Sequence, residues 1–344
     1  MADYAASVLA KAQLMYIQRM KEAEMREKPS ATLMTLRKNT QFLIPDIADL
    51  RKREDRATHA YIQNRAARSL TSARTFDHTG AVADSTEVDI LFSTYTDEFS
   101  TSLKRGDNNL FNDAEILSHE IQNAFINLHE GIETALVTWL DTNKTTAGAA
   151  TKRVSGGIFD TVNDAYAIAS ADSDEYWHII KSIFRQDKFS GTNIDIVTDS
   201  LLASTGDFKA QQGQGNSTNL GFQFSGLNVV ESIEVADATY ANGVSFCMPA
   251  GMTGIIDWVP KQNRMGKGNF DSVLGGYSTI VDPLTGMSFA IHGYTERADT
   301  SGTNGSGQDE VTQWEISLDL SPQHAQIPTP GSGVTSPIVA IGQL

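Results

Sequence analysis

Between Asp113 and Thr142 the apolar residues Leu117, Ile121, Ala124, Phe125, Leu128, Ile132, Ala135, Leu136 and Trp139 recur at steps of three and four, the spacing of one face of a single long α-helix. Asn112 or Asp113 supplies an N-cap and Glu115 an acidic first turn, so the start is marked as well as the face. At ~1.5 Å per residue such a helix runs on the order of 45 Å. That is longer than most domains are wide, so it has to serve as a spine along which other elements pack. With 344 residues, 40% of them hydrophobic, the chain holds enough apolar surface to bury a core around that spine in about two domains.

The regions on either side differ. Residues 4 to 27 read as an amphipathic helix with Val8, Ala12, Met15 and Met20 near one stripe, stopped by Pro29. From Lys28 to about Asp107 apolar periodicity fades, and charged clusters such as Arg51-Lys52-Arg53-Glu54-Asp55-Arg56 alternate with short apolar pieces; only Val88 to Tyr95 has strand character. This segment reads as a long extended arm that gains its order from something else, such as a neighbouring chain. After the spine comes a Thr/Ala/Gly linker, Thr145 to Gly157, then a helix expected from about Asp174 to Arg185.

The remainder is mixed α/β. Strands are expected at Ile194 to Thr198, Leu227 to Glu231, Val244 to Met248 and Gly254 to Val259, with a helix over Ser200 to Lys209 and a Gly/Gln/Asn-rich mobile loop over Gln211 to Leu220. Asp282-Pro283-Leu284-Thr285-Gly286 is turn chemistry between strands Tyr277 to Ile280 and Phe289 to Tyr294. Past a second loop, Ser301 to Gln308, a last strand alternates Trp314, Ile316, Leu318 and Leu320 with Glu315, Ser317 and Asp319. The proline-bearing tail is expected to be extended. No internal repeat is present, which removes solenoids and propellers.

Charge is divided along the chain. Residues 1 to 75 hold 14 Lys+Arg against 8 Asp+Glu, a balance of +6, which leaves 13 against 34, or -21, for residues 76 to 344. An acidic bulk argues against nucleic-acid binding as the main task. In a multi-copy assembly the asymmetry favours the basic arm of one copy on the acidic body of the next; equally, the arm could fold onto its own body. The one cysteine, Cys247, excludes an internal disulfide and sits among Val244, Phe246 and Met248 as a small buried hydrophobe. No window is apolar enough to span a membrane, and no secretory leader opens the chain, so synthesis in the cytosol is expected.

Fragments that imitate catalytic motifs fail on spacing. His119-Glu120 and His129-Glu130 lie on the spine, but neither opens the His-Glu-x-x-His pattern that puts two imidazoles on one face, and both are expected to be solvated or locally bonded. Gly266-Lys267-Gly268 lacks the earlier glycine and following Ser/Thr of a phosphate loop, and Gly213-x-Gly215 opens no βαβ unit. There is no nucleophile elbow, no Cys-x-x-Cys and no calcium loop. The seven histidines, including His59, do not cluster in sequence. No catalytic, cofactor or metal residue is therefore assigned, and an enzyme is not expected.

The order of parts resembles a family. A helical N-terminus leads through a charged arm ending in Ser102-Leu103-Lys104-Arg105-Gly106-Asp107-Asn108 to a spine helix and then an α/β region with a late strand; within that region come Asn193-Ile194-Asp195-Ile196-Val197-Thr198-Asp199 and Gly226-Leu227-Asn228-Val229-Val230-Glu231-Ser232. This resembles the major capsid proteins of tailed bacteriophages with the HK97-like fold. The resemblance implies an α+β subunit with an N-terminal helical arm (1–30), an extended loop (31–107), a peripheral domain with the spine helix (108–190), an axial domain (191–309), and a return strand to the peripheral domain with a C-terminal tail (310–344). It implies hexamers and pentamers of one chain closing into an icosahedral virion shell around double-stranded DNA, assembled in the host cytoplasm, with no cofactor and no membrane. Partners would be further copies of the chain, a portal protein and a separate scaffolding protein or none, since little room for a cleaved scaffold precedes the spine. Arg51, Lys52, Arg53, Arg56, Arg65, Arg68, Lys104 and Arg105 are the candidate subunit contacts. No lysine of the arm is singled out for covalent crosslinking. The alternatives are a bacterial nanocompartment shell of the same fold, another virion component such as a tail protein, and a soluble α/β enzyme with a non-local site.

Overall fold

Asn112 accepts a hydrogen bond from the Glu115 amide at 3.0 Å, and the Glu115 carboxylate accepts one from the Asn112 amide at 3.0 Å. This reciprocal capping box satisfies two amides that a helix start leaves open. The helix it begins runs unbroken over Asp113–Thr142. Leu117, Ile121, Phe125, Ile132, Leu136 and Leu140 are almost wholly buried along it, each worth about 1.5–3 kcal/mol of transfer free energy.

The computed structural model describes residues 2–21, 30–43, 59–63, 74, 82, 84–102, 112–148, 157–186, 189, 193–213, 226–236, 239–259, 275–299, 308–327 and 334–344. Its helices are α1 (Ala2–Lys21), α2 (Ala31–Leu43), the spine α3 (Asp113–Thr142), α4 (Tyr176–Gln186, entered through the 3-10 turn Ser170–Glu175) and α5 (Ser200–Gly213). Its strands are β1 (His59–Gln63), β2 (Ser85–Asp89), β3 (Ser93–Ser102), β4 (Gly157–Asp160), β5 (Ala165–Ile168), β6 (Ile194–Thr198), β7 (Leu227–Glu231), β8 (Val244–Pro249), β9 (Thr253–Trp258), β10 (Gly275–Val281), β11 (Ser288–Asp299), β12 (Gln308–His324) and β13 (Val339–Gln343).

These strands make two sheets and a ribbon. The first sheet is antiparallel, in the order β10-β11-β12-β3, and the far end of the long β12 also pairs with β9. Trp314, Ile316, Leu318 and Leu320 of β12 join the spine's apolar face in one core, together with Ala12 and Tyr16 of α1 and Leu33 and Leu36 of α2. Tyr16 stacks on Phe125 of the spine at 5.3 Å, and Phe289 of β11 meets the same ring edge-on at 5.0 Å. The second sheet is mixed, in the order β4-β5-β13-β8-β6-β7, and α4 buries Trp177, Ile180, Ile183 and Phe184 against it in a second core. The ribbon is β1 paired antiparallel with β2 alone.

Several expectations change. The helix expected over 4 to 27 is described only as far as Lys21. The arm does not begin extended at residue 31: α2 is a buried helix there, started by Ser30, whose hydroxyl accepts the Leu33 amide at 3.2 Å. The strand placed at Val88 to Tyr95 is two strands, β2 and β3, in different sheets. The hairpin β4-β5 was not foreseen, and the loop expected from Gln211 loses its first three residues to α5. On β12, Ser317 and Asp319 are buried as fully as the apolar face. The tail does not end as a free extension, because β13 is wholly buried between β5 and β8. Gly342 makes that possible: a Cβ there would meet the Tyr240 ring at 2.2 Å. The sheet therefore draws strands from both sides of residue 190 and from the C-terminus.

Candidate assembly surfaces and the joints behind them

Helix α2 joins four elements, and each joint is a polar group that burial obliges to find a partner. At its N-terminus Glu133 of the spine, 7% exposed, accepts from the Thr32 amide at 3.1 Å, from the Thr32 hydroxyl at 2.6 Å and from the Ser30 hydroxyl. An anionic carboxylate against the open amides of a helix start is favourable on both hydrogen-bond and dipole grounds. Midway along, Arg37 donates to the carbonyls of Thr285 and Gly286 in the β10-β11 turn. Next, the Asn39 amide donates to Asp195, a carboxylate on β6 that is 1% exposed and also accepts from Asn228 of β7 at 2.8 Å; Lys38 Nζ lies 4.0 Å away. Last, the Thr40 hydroxyl accepts the Ile255 amide of β9 at 3.0 Å. The helix thereby ties the spine core to both sheets.

The turn that Arg37 grips is fixed by its own sequence. Asp282 accepts from the Leu284 and Thr285 amides, each at 3.1 Å, and from the Thr285 hydroxyl, while Gly286 takes φ +66°, a left-handed conformation that favours glycine. His129 of the spine adds a bond to Asp282 Oδ2 at 3.1 Å. Burial alone would raise the Asp282 pKa, but the bonds from His129 and Thr285 outweigh it and hold the carboxyl below its ordinary value. His129 is thus neither solvated nor locally bonded, since it is 5% exposed and its partner is 153 residues away. Cys247 on β8 is fully buried as expected, and burial pushes its thiol up to about 12.

The exposed features lie elsewhere. On the ribbon, His59, Tyr61, Ser85, Glu87 and Asp89 are all exposed, Tyr61 at 72%, and Leu91 just beyond is 78% exposed. A two-stranded sheet is marginal on its own. Around the six-stranded sheet the large apolar side chains Val162, Leu201, Phe208 and Ile233 are exposed, and β4 and β7 are its open edges. Exposed apolar groups beside unpaired strand edges are the surface features that subunit contacts use. The candidate contacts Arg51, Lys52, Arg53, Arg56, Arg65, Arg68, Lys104 and Arg105 all lie outside the described residues. What sequence reasoning missed is α2, whose signal was present: Ser30 as cap, then Leu33, Leu36 and Thr40 at helical spacing. Among the described residues no helix is long and apolar enough to cross a membrane.

A long spine with an antiparallel sheet packed along it, a second mixed sheet and a projecting ribbon define an α+β subunit of the HK97-like capsid fold. A solved capsid structure carries that assignment. The capsid subunit of cyanophage A-1(L) superposes with a TM-score of 0.50 at 12% identity, over 93% of this chain and 94% of that one. The capsid of Ralstonia phage GP4 matches at a TM-score of 0.47 and 7% identity over 93% and 92%, and a chain of Mycobacterium phage Bobi at 0.49 and 9% over 94% and 93%. At these identities the likeness is one of fold. No protein-family model matches the chain, and no curated protein is found as a relative.

Proposed function

We propose that this chain is the major capsid protein of a tailed bacteriophage, a structural subunit without catalytic chemistry that forms hexamers and pentamers of an icosahedral shell. The observation that carries this reading is the likeness of fold to the cyanophage A-1(L) capsid, which extends over nearly the whole of both chains. In it, the ribbon of β1 and β2 belongs to the extended loop, the spine core with the first sheet to the peripheral domain, and the six-stranded sheet to the axial domain. On this reading the strands that pair in the six-stranded sheet, those of 157–168 and 339–343 among them, would group with the axial domain. The ribbon supports an overlapping contact: Tyr61 on it and Leu91 just beyond it are exposed, and a two-stranded sheet is marginal by itself.

Cohesion would come from the basic arm of one copy on the acidic body of the next, with Arg51, Lys52, Arg53, Arg56, Arg65, Arg68, Lys104 and Arg105 as the contacts. The acidic body would line a shell that encloses double-stranded DNA without gripping it. A scaffolding protein and a portal complete the partners in the virion. Electron microscopy of the purified chain, alone and with candidate scaffolds, tests this: closed shells or isolated pentamers and hexamers are expected, and monomers under every condition refute it. A nanocompartment shell uses the same geometry, and protein cargo in place of DNA in native particles would decide for it.

A further inference from the structure

The ribbon's register brings together three side chains that the sequence keeps apart. Position 59 stands directly opposite 89, and 61 opposite 87. Alternate residues of a strand share a face, so His59, Glu87 and Asp89 converge on the same side of the ladder. His59 Nδ1 lies 2.9 Å from Asp89 Oδ1 and 3.0 Å from Glu87 Oε1. All three ligand-type atoms fall within 4.8 Å of one another. The histidines do not cluster along the chain, so only the pairing of strands 30 residues apart assembles this group.

We propose that His59, Glu87 and Asp89 form a surface site for a divalent transition cation of the zinc class, with one imidazole and two carboxylates as protein ligands and open positions for water. Three chemical arguments lead there. The site gathers two carboxyl groups and one imidazole on one face of two strands, a donor set that a dication can hold together. Zinc bonds to nitrogen and oxygen of about 2.0–2.2 Å put neighbouring tetrahedral donors roughly 3.4 Å apart. The observed separations of 2.9 and 3.0 Å need only a small outward rotation of exposed side chains to reach that spacing. Finally, an imidazole ligand favours zinc-class ions over calcium and magnesium, which prefer all-oxygen sets. The bound ion staples β1 to β2, which among the described residues pair only with each other.

The test is calorimetric titration of the full chain with zinc chloride, and separately with calcium and magnesium chloride. One zinc per chain is expected. Loss of a direct ligand in His59→Ala or Asp89→Asn should weaken it at least as much as the ~10–100-fold lost with an outer-shell partner. These side chains are exposed, so the circular dichroism of the variants should match that of the parent. Absence of zinc binding at millimolar concentration overturns the proposal. So does binding that survives His59→Ala but is lost in His119→Ala or His178→Ala, two other exposed histidines, or calcium or magnesium affinity equal to that for zinc. A chain that binds zinc in this way but never assembles leaves the site intact and refutes only the capsid reading.

Discussion

Replacing Glu133 by alanine should release α2 from the spine without unfolding the rest of the subunit. The carboxylate is 7% exposed and receives the Thr32 amide, the Thr32 hydroxyl and the Ser30 hydroxyl. Hydrogen bonds to a charged group contribute about 1.5–3 kcal/mol each, though not additively. The favourable charge at the helix start adds about 0.3–1 kcal/mol. The two hydroxyls can turn to other acceptors, whereas the Thr32 amide cannot, so a net cost of about 3 kcal/mol is expected. A local opening that becomes easier by this amount exchanges its amides ~150-fold faster, at 1.4 kcal/mol per factor of ten. Hydrogen exchange followed by mass spectrometry over peptides covering 31–43 reads this directly. Glu133→Gln, which keeps one acceptor oxygen, should fall between parent and alanine. Unchanged protection of α2 in Glu133→Ala refutes the account. An equal rise across the six-stranded sheet would also refute it, by showing that the carboxylate supports the whole subunit.

Asp282→Asn should destabilise the subunit by about 1–3 kcal/mol at pH 7, with a gap that narrows in acid. The folded carboxyl lies below its ordinary 3.8, so its contribution is present above that value and is lost as pH falls through the lower folded one. Thermal melts at pH 7 and pH 3 check this, and a gap independent of pH refutes it. Cys247, buried and with its thiol near 12, should resist aqueous disulfide reagents at pH 8 until the chain is denatured; prompt labelling of the native protein would contradict its placement on β8. Removing residues 339–344 takes out the strand between β5 and β8 and should leave the chain insoluble, whereas a dispensable tail would give soluble product with a native spectrum.

What could be read from the sequence follows how local the determinants are. The spine was legible because its cap, first turn and apolar face all lie within 112–142 and agree. The β10-β11 turn was legible for the same reason, since Asp282 and Gly286 fix it within five residues. The role of β13 was hidden: Val339 to Gln343 is too short to signal more than an extended piece, and its burial depends on Tyr240 packing over Gly342 from a hundred residues away. His129 was read as solvated or locally bonded because its partner, Asp282, is remote in sequence and adjacent only once the turn docks on the spine.

Helix α2 marks where the charged N-terminal region changes character. Its Leu33 and Leu36 belong to the subunit's own core, and its polar residues are spent on internal joints to α3, β6, β9 and the β10-β11 turn. Past Leu43 the next described elements are β1 and β2, where His59, Tyr61, Ser85, Glu87 and Asp89 are exposed and, among the described residues, no third strand pairs. Helix α2 locks both sheets together, whereas β1 and β2 pair, among the described residues, only with each other. On the proposed capsid reading, α2 would anchor the arm to the subunit and the ribbon would gain stability on contact with a second copy. Substitutions in α2 should therefore act on subunit stability, and those in the ribbon on assembly, with the two effects separable by comparing melting of the isolated subunit with the yield of particles.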